Sequence, residues 1–215
     1  PDPSISMNFT TGRFLLLSLL ASAAAAGLFS LGIGGPFVLD DAHTIVDNTL
    51  IRVQTLDYDT LMDAASSFHA GSGLRPLPML SFGLDYWRHG SLDAATFKAT
   101  NLFIHALTTF FLAVFVRQLL LLAQWTPRRA AVAAVLVALV WAIHPLQVSS
   151  VLYVVQRMQT LATLFLVPAL WSYLQLRLAQ IEGRPGWPFG VLGAACWGLA
   201  LASKEDAILL PLYLQ

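Results

Sequence analysis

Charge is what this chain has least of. Only 11% of its 215 residues are Asp, Glu, Lys or Arg, where a soluble domain carries about 25%. The formal charges cancel to zero, which removes the general electrostatic case for a nucleic-acid partner. There is a single cysteine, Cys196, so no disulfide forms within the chain and the redox compartment stays open. No repeat, coiled coil or low-complexity linker interrupts the sequence. Gly32 to Gly35 is not a phosphate loop, because no strand precedes it and no Gly-Lys-Ser/Thr follows. What the chain has in quantity is hydrophobic side chains, at 57% of positions. The length suits one soluble domain or a small bundle of membrane spans, and the composition selects the bundle.

A spanning helix needs about 20 mostly apolar residues. Phe14 to Ile33 is such a run, entered at Arg13 and broken by Gly32, Gly34, Gly35 and Pro36. Its apolar core exceeds the usual h-region, although a signal peptide or signal anchor stays open. Leu102 to Leu122 is a second span, with Asn101 at its start, followed by a polar turn from Gln124 to Arg129. Ala130 to Ile143 is a third, expected to run on to Val148 despite Pro145. Met158 to Leu178 is a fourth, and membrane helices tolerate a proline such as Pro168. After a turn from Glu182 to Pro188 comes a fifth, Phe189 to Ala202. Ala207 to Gln215 reads as the opening of a sixth. The expected fold is therefore all-α: a polytopic membrane helix bundle of five to six spans, one transmembrane domain over residues 1–215 without a soluble domain. Pro1 to Ser6, ahead of Met7, read as an expression remnant.

Charge placement supplies an orientation. One side of this layout holds Arg13, Arg128, Arg129, Arg177 and Arg184, with Arg117 just inside a span and only Asp2 and Glu182 as acids. The other side holds the remaining acids. Short arginine-rich loops are cytoplasmic by the positive-inside rule, so the amino terminus is expected in the cytoplasm. The basic residues by themselves divide evenly, and the segregated acids support the layout. Asn8-Phe9-Thr10 fits a glycosylation pattern, but this orientation leaves it on the wrong side. The long loop at 34–100 falls outside the cytoplasm. Within it, Asp57 or Asp59 caps a short helix to about His69, ended by Gly71 and Gly73. Pro76 to Arg88 is too short and too polar to span. It reads as an amphipathic interfacial helix with Tyr86 and Trp87 at headgroup level.

Three polar clusters sit beside spans on that outer side. In the first, Asp40 and Asp41 follow Phe37-Val38-Leu39. Adjacent carboxylates repel and call for a cation, a donor or a proton, and one could serve as a general base toward a hydroxyl. Plain helix capping explains the pair equally simply, and His43 beside it does not complete a metal site. In the second, His144-Pro145-Leu146-Gln147 leads to Tyr153, Gln156 and Arg157. An arginine here pairs with phosphate in a bidentate contact or merely anchors a helix end. The third is Ser203-Lys204-Glu205-Asp206, where Lys204 offers a point charge for phosphate or forms an ordinary surface pair. Arg75, ahead of Pro76, lies where an anionic headgroup would sit. His105, one turn into the second span, reads as a bundle-facing polar group, and His69 and His89 as loop histidines.

Taken in order, these stretches resemble the GT-C type polytopic glycosyltransferases. Within them they are similar to the transmembrane and tetratricopeptide-repeat-containing O-mannosyltransferases and their bacterial relatives. The matching segments are Phe37-Val38-Leu39-Asp40-Asp41 with Ile45 and Asn48; Arg75-Pro76-Leu77 with Leu80-Ser81-Phe82; Asn101 to Ala106; His144-Pro145 running to Arg157; and Lys204-Glu205. The resemblance implies transfer of a sugar from a polyprenyl-phosphate carrier to an acceptor hydroxyl on a protein or glycan, on the extracytoplasmic side. By family analogy Asp40 is the base and Asp41 positions the acceptor or the base. Arg75, Arg157 and Lys204 would neutralise the leaving phosphate, with His144, Gln156 and Glu205 completing the substrate site. No cofactor is certain, and a divalent metal stays open without being favoured, since some relatives bind one. Membrane lipids, the lipid-linked sugar and the acceptor are the implied partners. A bacterial inner membrane is the implied location. Where the eukaryotic members have Gly-Arg, this chain has Gln156-Arg157. It also stops within its sixth expected span, without tetratricopeptide repeats, so a fragment or a degenerate relative remains an alternative. On that ground a non-catalytic accessory subunit, held by partner subunits, is the competing expectation. A transporter is disfavoured, because it would place its acids near mid-membrane.

Overall fold

The structure is a computed structural model that describes residues 3–68 and 74–214, with their side chains except at 3–10 and 213. In chain order the helices are α1 (Pro3–Ser30), α2 (Tyr58–Ser66), α3 (Pro76–His89), α4 (Ala94–Leu122), α5 (Pro127–Ala142), α6 (Gln147–Leu152), α7 (Arg157–Ile181), α8 (Trp187–Leu201) and α9 (Leu210–Tyr213). Short 3-10 turns lie at Thr49–Ile51, Val154–Gln156 and Glu205–Leu209, and a π turn at Ala42–Val46. No strand occurs among the described residues. The chain is an all-α membrane helix bundle.

Three helical stretches have the length and apolarity of a crossing: Thr11–Ser30, Ala94–Leu122 and Val154–Ile181. The other two long apolar helices, α5 and α8, have 16 and 15 residues. At roughly 1.5 Å per residue they measure about 24 and 22 Å, short of a hydrocarbon core of about 30 Å. The five expected crossings thus resolve into three full-length helices and two shorter partners. The third expected span does not reach Val148. It stops at Ala142, because Pro145 cannot donate to a helical ladder and disfavours helix in the residue before it, and α6 starts afresh at Gln147. In place of a sixth span's opening, a 3-10 turn is followed by the four residues of α9.

Local chemistry explains where helices begin and how they pack. Asp93 caps α4 by accepting the Thr96 backbone N–H at 2.8 Å and its hydroxyl at 2.7 Å. Asp57, not Asp59, caps α2 through the Thr60 N–H at 3.0 Å. Hydrogen bonds from Thr55 and Thr60 lower its carboxyl to about 2. Helix α2 ends at Ser66, short of the expected run to about His69, so Gly71 and Gly73, which like His69 lie outside the described residues, do not end it. Helix α3 ends at Gly90, whose φ of 79° belongs to the left-handed region that glycine enters without penalty. Helix α4 is the axis, packing on α1, α5 and α7, while α8 packs on α7. On α5, Ala130, Ala134, Ala138 and Ala142 form a fully buried stripe spaced by four residues. Small side chains at that spacing let backbones approach closely in lipid, where no hydrophobic drive between helices exists. The opposite face, with Leu136, Val137 and Val140, is exposed.

The segments 31–57, 143–156 and 202–206 gather at one end of the bundle. Beneath them lies a core of Ile45, Ile51, Met79, Phe82, Phe97, Val154 and Met158. Helix α3 turns its apolar face into this core rather than lying flat on lipid. Met79 and Phe82 are fully buried, and only residues such as Leu84 and Trp87 stay exposed. Gly83 permits that docking, since a Cβ there would come within 2.8 Å of Val53 and 3.3 Å of Ala64.

Candidate active site

The acidic pair is divided by a tight turn. Leu39 sits at φ 47°, uncommon for a residue with a bulky side chain, and the backbone N–H of Asp41 donates to the Val38 carbonyl at 3.0 Å. This turn sends the two carboxylates in different directions. Asp41 goes inward and is fully buried. Its two oxygens accept the N–H groups of Val38 at 3.0 Å and Val155 at 2.7 Å. Burial pushes this carboxyl above its usual range, opposed by those N–H donors and by Lys98. Lys98 itself donates to the carbonyls of Gly35 at 2.6 Å and Pro36 at 3.3 Å, fastening the chain as it leaves α1. Asp40 stays exposed, and its backbone N–H donates to the Tyr153 hydroxyl at 2.7 Å.

Asp40 lines a cavity of about 240 Å³ together with Thr44, Phe68, Arg75, Val155, Gln156, Met158, Gln159 and Lys204. Four of the residues singled out in the sequence, Asp40, Arg75, Gln156 and Lys204, therefore meet there from separate segments of the chain. Arg75 lies over the Phe68 ring at 4.6 Å and donates to the Met158 sulfur at 3.0 Å. Its Nε donates to Glu205 at 3.0 Å, and a second contact from Nη2 makes the pair bidentate. The Arg75 donors hold the Glu205 carboxyl below its ordinary value. Lys204 donates to the Gln159 amide oxygen at 2.8 Å and lies 3.1 Å from Asp206. Both acids are more than half exposed on their side chains. Arg75 and Lys204 themselves are mostly covered, so an incoming anion would replace carboxylate oxygens already held at these cations.

Arg157 is placed elsewhere. It is fully buried and is absent from the cavity lining. Its guanidinium donates to Asn101 at 2.7 Å, the Phe97 carbonyl at 2.6 Å and Ser81 at 3.2 Å. It pairs with Asp85 at 2.7 Å and lies over the Phe82 ring at 4.5 Å. Asp85 is further held by Thr100 at 2.7 Å and Arg88 at 3.1 Å. Asn101 donates to the carbonyls of Val151 at 3.1 Å, Tyr153 at 3.4 Å and Val154 at 3.3 Å. The network thus fixes the turn from which Val155 and Gln156 reach the cavity. His144 is exposed, accepts the Leu146 N–H at 3.2 Å, and lines a different, apolar groove with Leu136, Val140 and Trp141. Among the described residues no three His, Cys, Asp or Glu side chains come together as a metal site.

Gln159, Lys98, Thr44 and Asp85 are brought to or beneath this region without having been among the candidates legible in the sequence. Gln159 alone carried a usable signal, as a second amide three residues after Gln156, which sits at the N-cap of the helix that carries it.

An apolar helix bundle with a cavity lined by charged and polar side chains near one end defines a polytopic membrane protein. The chain is similar to protein O-mannosyl-transferase TMTC4 of Homo sapiens, with 27% identity over 202 residues, 88% of this chain and 27% of that protein. The mouse TMTC4 protein is 27% identical over 193 residues, 84% of this chain and 26% of that protein. Human protein O-mannosyl-transferase TMTC2 is 24% identical over 200 residues, 90% of this chain and 23% of that protein. The chain thus spans about a quarter of the length of the curated relatives it matches. No family model matches it, and no solved structure matches it.

Proposed function

We propose that the chain is the catalytic bundle of a membrane glycosyltransferase that moves a sugar from a polyprenyl-phosphate carrier to an acceptor hydroxyl. The observation that carries this reading is the single cavity joining exposed Asp40 with Arg75 and Lys204. Asp40 takes the proton of the acceptor hydroxyl as that oxygen attacks the anomeric carbon. The bond from that carbon to the phosphate oxygen breaks, and polyprenyl phosphate leaves. The guanidinium of Arg75 and the ammonium of Lys204 meet the charge that develops on it, exchanging Glu205 and Asp206 for phosphate oxygens. Gln156 offers an amide to the same group. Asp41 positions the turn that carries Asp40, and Arg157 supports the turn that carries Gln156 without touching the donor. His144, on its separate groove, has no part in the reaction. The positive-inside rule, applied to the arginines at the opposite helix ends, favours an extracytoplasmic position for the cavity. The similarity to protein O-mannosyl-transferases makes a mannosyl group the first donor to test and a protein hydroxyl the first acceptor.

The test is transfer from polyprenyl phosphomannose to a hydroxyl acceptor peptide by the protein reconstituted in lipid nanodiscs. Loss of the base in Asp40→Asn is expected to slow transfer by about 10²–10⁴-fold. Equal rates for wild type and Asp40→Asn overturn this mechanism and move the chain to the accessory-subunit reading.

A further inference from the structure

A second chamber adjoins the Asp40 cavity, deeper between the helices. It measures about 250 Å³, and its walls include His105, Thr108, Trp141, Gln159, Thr160 and Thr163. Polar groups at such depth are costly and mark function more often than on a soluble surface. Their hydrogen bonds leave a definite pattern. The hydroxyls of Thr108, Thr160 and Thr163 spend their protons on the carbonyls of Ile104 at 2.8 Å, Arg157 at 3.2 Å and Gln159 at 2.9 Å. Their oxygens keep lone pairs. His105 Nε2 lies 3.0 Å from the Ala142 carbonyl. A carbonyl only accepts, so this nitrogen carries the proton and the neutral ring's Nδ1 is an acceptor. The same ring stacks on Trp141, with centroids 5.2 Å apart.

The chamber is therefore lined by neutral groups, acceptors at the threonines and His105 with Gln147, Ser150 and Gln159 able to donate as well, beside an aromatic ring and with no acid in its wall. That array suits a ligand bearing several hydroxyl donors on an apolar ring and does little for a cation or an anion. Its volume is that of about eight waters at roughly 30 Å³ each, the scale of one monosaccharide. Gln159 lines both this chamber and the Asp40 cavity, and its amide oxygen accepts from Lys204 at 2.8 Å. A group bonded to a phosphate at Lys204 would have this chamber as its neighbouring space.

We infer that the chamber is the monosaccharide subsite of the donor, in which Thr108, Thr160, Thr163 and His105 accept hydrogen bonds from the sugar hydroxyls beside Trp141. The inference rests on the polyprenyl-phosphate reading given above. The experiment compares binding of polyprenyl phosphomannose and of bare polyprenyl phosphate to the nanodisc-reconstituted protein. Thr108→Val and Thr163→Val each lower the preference for the sugar-bearing lipid by about three- to tenfold, the worth of one hydrogen bond. The bare lipid binds both variants as it binds wild type, and Thr163→Ser keeps the preference. An unchanged preference in both valine variants overturns the subsite while leaving the phosphate cavity intact. So does an equal loss for both lipids. A wild-type protein that binds both lipids equally, or neither, also overturns it. If Arg75→Gln and Lys204→Gln leave bare-lipid binding untouched, the donor reading itself fails.

Discussion

Replacing Arg157 by Met separates a structural arginine from a phosphate ligand. The side chain is fully buried, so the substitution strands three acceptors at once: Asp85, the Asn101 amide oxygen and the Phe97 carbonyl. Removing one partner of a buried ion pair costs about 3–5 kcal/mol. Asp85 keeps Thr100 at 2.7 Å and Arg88 at 3.1 Å, which draws the expected loss to the lower end, about 3 kcal/mol. For a chain of this size that corresponds to a fall of roughly 6–12 °C in thermal midpoint. Scanning fluorimetry of the detergent-solubilised protein reads this directly. Pairing the change with Asp85→Leu removes the stranded carboxylate and regains a large part of the loss, the coupling expected of contacting residues. Bare polyprenyl phosphate binding to Arg157→Met, measured well below its midpoint, stays within about twofold of wild type. A midpoint within about 2 °C of wild type, joined to lost lipid binding, would show that the arginine meets the phosphate after all.

Two further outcomes follow from the same geometry. Burial raises the Asp41 carboxyl above its ordinary 3.8. A folded-state value above the unfolded one contributes stability that is full below about pH 4 and is lost as pH rises through the raised value. The midpoint of wild type, taken relative to Asp41→Asn, should therefore fall as pH rises from about 4 to 7, and a rise over that window refutes the burial argument. His144→Ala should leave bare polyprenyl phosphate affinity within about twofold of wild type, because His144 lines the apolar groove beside α5 and not the Asp40 cavity. A tenfold loss in the same lipid-binding assay would place that imidazole on the phosphate.

The bundle was legible because its determinants are local. Twenty-residue apolar runs declare themselves, whereas the alanine stripe at 130, 134, 138 and 142 emerges only from the packing of α5. Span limits were less legible. Hydropathy carries across Pro145 although the missing N–H there ends α5 at Ala142. The inward turn of α3 was not legible either. Its amphipathic pattern fits a lipid surface as well as a protein core, and the core that claims Met79 and Phe82 is assembled from Ile45, Phe97 and Val154, far apart in sequence.

The site shows the same division between local and distant causes. Arg75, Lys204 and Asp40 were readable as charges beside spans, and the fold brings them together. Arg157 carried the same signature, yet its fate depends on Asp85, a carboxylate 72 positions earlier on α3. No spacing rule connects the two. The adjacent acids make the point more sharply, because sequence sees only their mutual repulsion. The fold relieves it with a turn strained at Leu39, giving Asp41 two N–H partners indoors and leaving Asp40 the open cavity. One carboxylate can be exposed beside two cations at a fixed place because its neighbour is committed to holding the loop. A substitution at Asp41 should therefore lower activity through the position of Asp40, with the loss tracking loop stability rather than the ionisation of the base.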